Sequence, residues 1–275
     1  MPDVLSAPAA AKLNLALVVG PRRGDGKHEV VTVLQRLDLA DRIWLRPAAA
    51  LRVDGFSDDT IVRRALERLG AAAGVEPGFA VRIEKLIPVA AGLGGGSSDA
   101  ASALRLANGL LPAPLPGPEL ERLAAELGAD VPFFLRDGPQ LGTGDGSSLQ
   151  PLELPQDFWV VLCLPARVRK PSTASVYARF DERRGEDGFD ARREALLDAL
   201  AGLRGAADLA RLPRNDLGSS PLAGELLAHG AFRADVTGAG PCVYGLFAHR
   251  RHAEAAAGAL RAHGQTRVCT PCWYG

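Results

Sequence analysis

Lysine is nearly missing from this chain. Only Lys12, Lys27, Lys85 and Lys170 occur, and the other 28 of the 32 basic residues are arginine. An ammonium is a compact point charge whereas a guanidinium is a planar fork, so each of the four lysines is a candidate for a specific charge role. Net charge is missing too, because 32 acidic residues balance 32 basic ones. That balance argues against broad electrostatic attraction to nucleic acid or to an anionic membrane. No apolar run reaches the ~18 residues that spanning a bilayer requires. Met1 to Ala11 carries neither a basic stretch nor a long apolar one. No secretory signal is therefore expected, and the expected location is the cytoplasm. The four cysteines, Cys163, Cys242, Cys269 and Cys272, do not make a disulfide framework in a chain of 275 residues. Cys269 and Cys272 have C-x-x-C spacing, but a zinc site would want a second pair and a redox motif a strand-to-helix turn, so two incidental thiols are expected.

What is present is an ordinary globular composition, 47% hydrophobic and 23% charged, enough for a sizeable core. Alternation followed by an apolar run makes residues 12–19 a strand. Gly20 to Gly26 reads as a glycine-rich loop. Val30 to Asp38 and Asp41 to Leu45 read as two further strands, and residues 59–69 have helical spacing. Phe79 to Leu86 alternates as a strand. An apolar stripe through Ala100, Ala103, Leu104 and Ala107 predicts a helix. Pro118 opens another, which Gly128 closes. Gly138 to Ser148 is a second glycine-rich stretch. Further on, the pattern gives a strand at 158–164, a charged flexible segment at 181–188 and helices at 191–203, 222–228 and 253–262. Strand, turn and strand fill 234–247, and a last strand covers 266–269. Strands and helices mix without strict alternation, which predicts an α+β fold in two lobes. The expected domains are 1–150 and 151–275.

The chemistry centres on Pro88-Val89-Ala90-Ala91-Gly92-Leu93-Gly94-Gly95-Gly96-Ser97-Ser98, between a predicted strand and a predicted helix. A helix start offers unpaired N–H groups and a partial positive charge. Glycines let that backbone approach a ligand, and two serine hydroxyls add donors or a metal ligand. Together they form a phosphate cradle. The Walker pattern G-x-x-x-x-G-K-[ST] is absent. A Rossmann G-x-G-x-x-G fails because Ser97 stands at its third glycine. The protein-kinase motifs D-F-G and H-R-D are also absent. The plainer alternative is a tight glycine turn that only packs. Asp99, beside the helix start, is expected to complement the helix dipole.

This loop resembles the ATP loop of the GHMP kinases, P-x-x-x-G-L-G-S/G-S-S/G-A/S. The resemblance extends to Ala11-Lys12-Leu13-Asn14-Leu15, to residues 22–28 ending in His28, and to Gly128-Ala129-Asp130-Val131-Pro132-Phe133-Phe134. It also covers Asn215-Asp216-Leu217 and Thr237-Gly238-Ala239-Gly240-Pro241. The order matches the branch of the family that phosphorylates a cytidine diphosphate-linked methylerythritol in the non-mevalonate route to isoprenoid precursors. The resemblance implies a ribosomal-protein-S5-domain-2-like N-lobe, a ferredoxin-like C-lobe and an active site between them. It implies transfer of the γ-phosphoryl group of ATP, with Mg²⁺ required and its protein ligand unassigned.

Residue by residue, the resemblance makes Asp130 the catalytic base and Lys12 the catalytic lysine. Residues 88–98 would hold the phosphates. His28 would hydrogen-bond the cytosine, Thr173 would contact a substrate hydroxyl, and Tyr177 would stack on the base. Asn14 shares a strand face with Lys12, so both can reach one site. Plainer readings stand beside these. Asp130 could cap the next segment, Lys12 could be a strand-edge lysine, and Thr173 and Tyr177 could line an ordinary helix face. Gly238 and Gly240 form either a turn near the phosphates or a simple β-turn.

The sequence departs from the family at Lys27, where members usually carry a tyrosine before the histidine, and at Leu34, where some carry phenylalanine. Lys27 is left with two readings, a contact to substrate phosphates or a place in solvent. The altered base pocket keeps open another small alcohol as acceptor, of the mevalonate or homoserine type. A non-catalytic nucleotide-binding module is the alternative of a different class. The expected partner is a small molecule, not nucleic acid or membrane, and the chain is expected to be a monomer or a homodimer.

Overall fold

The computed structural model describes residues 4–56, 60–166 and 172–272; Asp59 and Lys170, named above, lie outside them. The chain forms two compact units, neither continuous in sequence. The described residues of the first lie within Met1–Ala11, Leu39–Val89 and Gly94–Asp137, and those of the second within Lys12–Asp38, Ala90–Leu93 and Gly138–Gly275. The expected boundary near residue 150 falls inside the second unit.

Two long strands come first, β1 (Leu5–Arg22) and β2 (His28–Pro47), which pair with each other. The expected loop at 20–26 is shorter than its glycine content suggests, because β1 runs on to Arg22. The two strands expected at 30–38 and 41–45 are one strand, since Leu39 and Ala40 between them keep extended backbone.

In the first unit, the C-terminal half of β2 pairs antiparallel with β4 (Phe79–Glu84), and β3 (Arg52–Asp54) pairs parallel with β4. Alternation decides which face is buried. Ile43 lies opposite Ile83 and Leu45 opposite Val81, all within 2% of full burial. The intervening Trp44 and Arg82 project to the other face, where Arg82 lies 5.2 Å from the indole centroid. Helices α1 (Thr60–Ala73), α2 (Gly95–Asn108) and α3 (Gly117–Leu127) pack together. Their seams are lined by Val62, Leu66, Leu69, Ala100, Leu104 and Leu123, nearly all fully buried. Each such leucine or valine contributes about 1.5–3 kcal/mol of burial. Gly128 ends α3.

In the second unit, the N-terminal half of β2 pairs with β5 (Gln140–Thr143), which forms a hairpin with β6 (Ser148–Pro151). The stretch 138–148, expected as loop, is therefore strand and tight turn. Its glycines occupy left-handed positions at Gly138, Gly144 and Gly146, while Gly142 sits within β5. β7 (Trp159–Pro165), α4 (Thr173–Glu182), α5 (Phe189–Ala201), α6 (Pro221–Ala228), β8 (Arg233–Val236), β9 (Val243–Phe247), α7 (Arg250–Leu260) and β10 (Gly264–Cys269) follow. Four of these strands make an antiparallel sheet in the order β10-β7-β9-β8. Val161, Val243, Phe247, Leu226 and Leu260 form one core between sheet and helices. A second core joins Leu17, Val19 and Val30 to Val176 and Phe180 of α4. Residues 181 and 182, expected in a flexible segment, are the last turn of α4. Near the chain's end, Thr270 donates its N–H and hydroxyl to the Asp38 carboxylate, both at 3.0 Å. The fold is α+β in two lobes. No helix among the described residues is long and apolar enough to cross a membrane.

Candidate active site

Most of the glycine-serine run lies inside α2. Gly94 is its N-cap, in the left-handed conformation (φ 73°) and without a side chain to fill the cap. The next residues, Gly95 to Ser98, form the first turn, and Ser98 closes the first helical hydrogen bond onto the Gly94 carbonyl at 2.9 Å. The N–H groups ahead of it have no acceptor within the helix, so they face whatever approaches the helix end. Ser97 is half-buried and Ser98 buried.

Asp99 is the fifth residue of this helix, and its carboxylate does more than complement the dipole. It accepts from Lys85 Nζ at 2.6 Å, and the same ammonium donates to Asp41 at 2.5 Å. The other oxygen of Asp41 accepts the N–H groups of Leu86 and Ile87. Burial pulls the Lys85 pKa down, but the two carboxylates outweigh it and hold the ammonium above its ordinary value. This cluster ties the strand before the loop to the helix after it. Asp130 is half-buried in the turn that follows Gly128, where Val131 N–H closes onto the Gly128 carbonyl at 3.0 Å.

The second unit gathers another set. Lys12 and Asn14, both about 95% buried, share one face of β1. Lys12 Nζ donates to Asn14 Oδ1 at 2.6 Å, and Asn14 Nδ2 donates to Thr32 at 2.8 Å. The backbone N–H of Lys12 bonds the Leu93 carbonyl at 2.9 Å, and Cys242 N–H bonds the Ala91 carbonyl at 3.1 Å. Residues 90–93 are thus held on two sides. Gly92 (φ 84°) has no room for a side chain, because a Cβ there would lie 2.5 Å from the Thr237 carbonyl oxygen. The Gly238 turn lies against Lys12 and Asn14, and Asn215 Nδ2 holds it by donating to the Gly238 carbonyl at 2.7 Å. The structure therefore joins Lys12, Asn14, Gly92 and Gly238 in one neighbourhood of this unit.

A third group surrounds His28. Its imidazole is about 94% buried and stacks on Tyr177, with centroids 4.8 Å apart and planes 28° apart. Phe180 meets it edge-on at 5.9 Å. Nε2 pairs with Asp181 Oδ1 at 2.6 Å, and Arg22 grips Asp181 Oδ2 with Nε and Nη2 at 3.0 and 2.8 Å. Partial desolvation would raise the Asp181 pKa, but the hydrogen bonds from His28 and Arg22 win and lower it. Thr173 begins α4, exposed, on the same helix face as Tyr177 and Asp181. Lys27 lies exposed, as one of its two readings expected, and its ammonium also pairs with Asp145 of the β5–β6 turn at 2.5 Å.

Sequence reasoning missed Asp181, Arg22, Asp41 and the pairing role of Lys85. The repeat of Thr173-Tyr177 spacing one turn further, at 181, was a usable signal. The Asp41 contact had none, being made across 44 residues.

The model of the GHMP kinases N terminal domain matches residues 60–138, and that of the GHMP kinases C terminal matches 189–266. The 4-diphosphocytidyl-2-C-methyl-D-erythritol kinase of Gloeobacter violaceus is 39% identical over 92% of this chain and 88% of its own. That of Pelotomaculum thermopropionicum is 38% identical over 94% of both chains. A crystal structure of 4-(cytidine 5'-diphospho)-2C-methyl-D-erythritol kinase superposes with TM-score 0.78 at 34% identity, covering 98% of this chain and 100% of that one. By these matches, which cover both lobes and nearly the whole length, the chain belongs to the GHMP kinases.

Proposed function

We propose that this small-molecule kinase transfers the γ-phosphoryl group of ATP to the 2-hydroxyl of 4-diphosphocytidyl-2-C-methyl-D-erythritol. The observation that carries the acceptor is the near-full-length identity of 38–39% to kinases named for that compound.

In this reading the open start of α2 and residues 88–98 bind the phosphates through backbone N–H groups. Lys12 places a positive charge where negative charge develops on the transferring group. Asn14 Oδ1 fixes the Lys12 ammonium by accepting a hydrogen bond from it at 2.6 Å. Asp130 accepts the proton of the attacking alcohol. His28, Tyr177 and Thr173 hold the cytidine end. Among the described residues no group of three or more His, Cys, Asp or Glu could hold a metal. That suits Mg²⁺, which binds through substrate phosphates and few protein ligands, with the Ser97 hydroxyl as the fitting donor at the helix start. When bound, Mg²⁺ neutralises phosphate charge. The enzyme is placed in the cytoplasm, where ATP is at hand.

The test is ADP release with purified protein and MgATP, offering 4-diphosphocytidyl-2-C-methyl-D-erythritol, mevalonate and homoserine separately. Turnover is expected with the first alone and should fall about 10²–10⁴-fold in Asp130→Asn. Turnover with another alcohol overturns the acceptor; an unaffected Asp130→Asn overturns the base.

A further inference from the structure

We infer that Asp181 is a positioning residue that fixes the tautomer of His28 and so sets which pyrimidine the enzyme accepts. This deepens the reading of His28 as the cytosine contact and rests on it.

The geometry leaves the imidazole few options. One ring face is taken by Tyr177 and an edge by Phe180, while Nε2 is held at 2.6 Å by Asp181 Oδ1. An ionised carboxylate only accepts, so Nε2 must carry the proton. In the neutral ring Nδ1 then bears the lone pair and can accept a hydrogen bond.

An acceptor at Nδ1 suits the edge of cytosine that carries the exocyclic amino group. Uracil presents a carbonyl at that position, setting lone pair against lone pair. Asp181 would thus choose between the two pyrimidines without touching either. Replacing it with asparagine keeps the shape but removes the constraint, because an amide can donate to Nε2 as readily as accept from it.

The experiment is calorimetric titration of cytidine diphosphate and uridine diphosphate into the wild-type chain, Asp181→Asn, His28→Ala and the double variant. ATP affinity of each serves as a check on folding. The wild-type chain should prefer cytidine diphosphate by tenfold or more. Asp181→Asn should weaken it about tenfold and bring the two nucleotides within threefold of each other. In the His28→Ala background, adding Asp181→Asn should change nothing further; a merely structural role for Asp181 would give additive losses. Arg22→Ala, which removes an arginine whose side chain is 61% exposed, should keep the preference. If His28→Ala binds cytidine diphosphate tenfold worse but Asp181→Asn retains the full preference, Asp181 has no such role. If His28→Ala binds like the wild-type chain, the cytosine reading of His28 fails first and this inference with it.

Discussion

Lys85→Met removes the ammonium from a site that holds two enclosed carboxylates. Asp41 and Asp99 have fully buried side chains, and Lys85 is 15% exposed. The methionine chain fills similar space, so the loss is mostly electrostatic. Asp41 keeps its two backbone donors from Leu86 and Ile87, but Asp99 faces Asp41 without the ammonium between them. Removing one partner of a buried ion pair costs about 3–5 kcal/mol. For a chain of this size each kcal/mol lowers Tm by roughly 2–4 °C, so the expected drop is about 6–20 °C. Calorimetric melting at pH 7.5 reads it directly. Lys85→Met plus Asp99→Asn should recover part of the loss, since it removes one of the two charges that the ammonium offsets. Because the Lys85 pKa is raised in the folded chain, its stabilisation is complete below the unfolded value of about 10.4 and is lost as pH climbs through the higher folded value. The melting difference between native chain and variant should therefore stay level from neutral pH to about pH 10 and narrow above it. A variant that melts within 2 °C of the native chain at pH 7.5 would refute the idea that this cluster clamps the loop.

Gly92→Ala combines left-handed backbone, costing about 1–2 kcal/mol, with a backbone clash at Thr237, so ATP titration should show at least tenfold weaker binding. Gly258→Ala, in α7 with open space at its Cβ, should instead raise stability by about 0.5–1 kcal/mol in urea unfolding. Burial pushes the Cys269 thiol up to about 12 and raises Cys163 and Cys242 as well, so thiol reagents at pH 7.5 should modify the partly exposed Cys272 first. Partial burial works against the Asp145 carboxylate, yet Lys27 and Ser147 bring its pKa down to about 2. Its contribution to stability is present above about pH 3.9 and fades as pH falls towards 2, which acid titration of wild type against Asp145→Asn would detect.

Elements whose burial follows from local pattern were legible in the sequence. Phe79, Val81 and Ile83 announce β4 by alternation, and Ala100 to Ala107 announce α2 by period. The glycine-serine run was legible as a glycine turn at a helix start, but not as the helix's own first turn. Glycine weighs against helix in any propensity argument, and here the Gly94 cap and the packing of α2 against α1 override it. The continuity of β2 was hidden because Asp38 and Asp41 flank Leu39 and Ala40, and the buried Asp41 is paired with Lys85, 44 residues away. The Asp181 contact of His28 was missed even though helical spacing from Thr173 and Tyr177 points to it. Asp181 lies 153 residues away, and a charged segment with no apolar pattern reads as loop until the tertiary contact is known.

β1 draws many of its partners from much later in the sequence. The Tyr244 hydroxyl donates to the Leu15 carbonyl across 229 residues, Asn14 N–H bonds Thr237 across 223, and Val19 N–H bonds Asp216 across 197. At about 5–20 residues per second, a ribosome needs roughly 10–45 s to deliver residue 244 after residue 15. For that interval the apolar stretch Leu13 to Val19 waits without these partners and is open to other strands. Synthesis of this kinase therefore passes through a period in which a strand destined for burial is open to wrong partners, and slower translation lengthens that exposure.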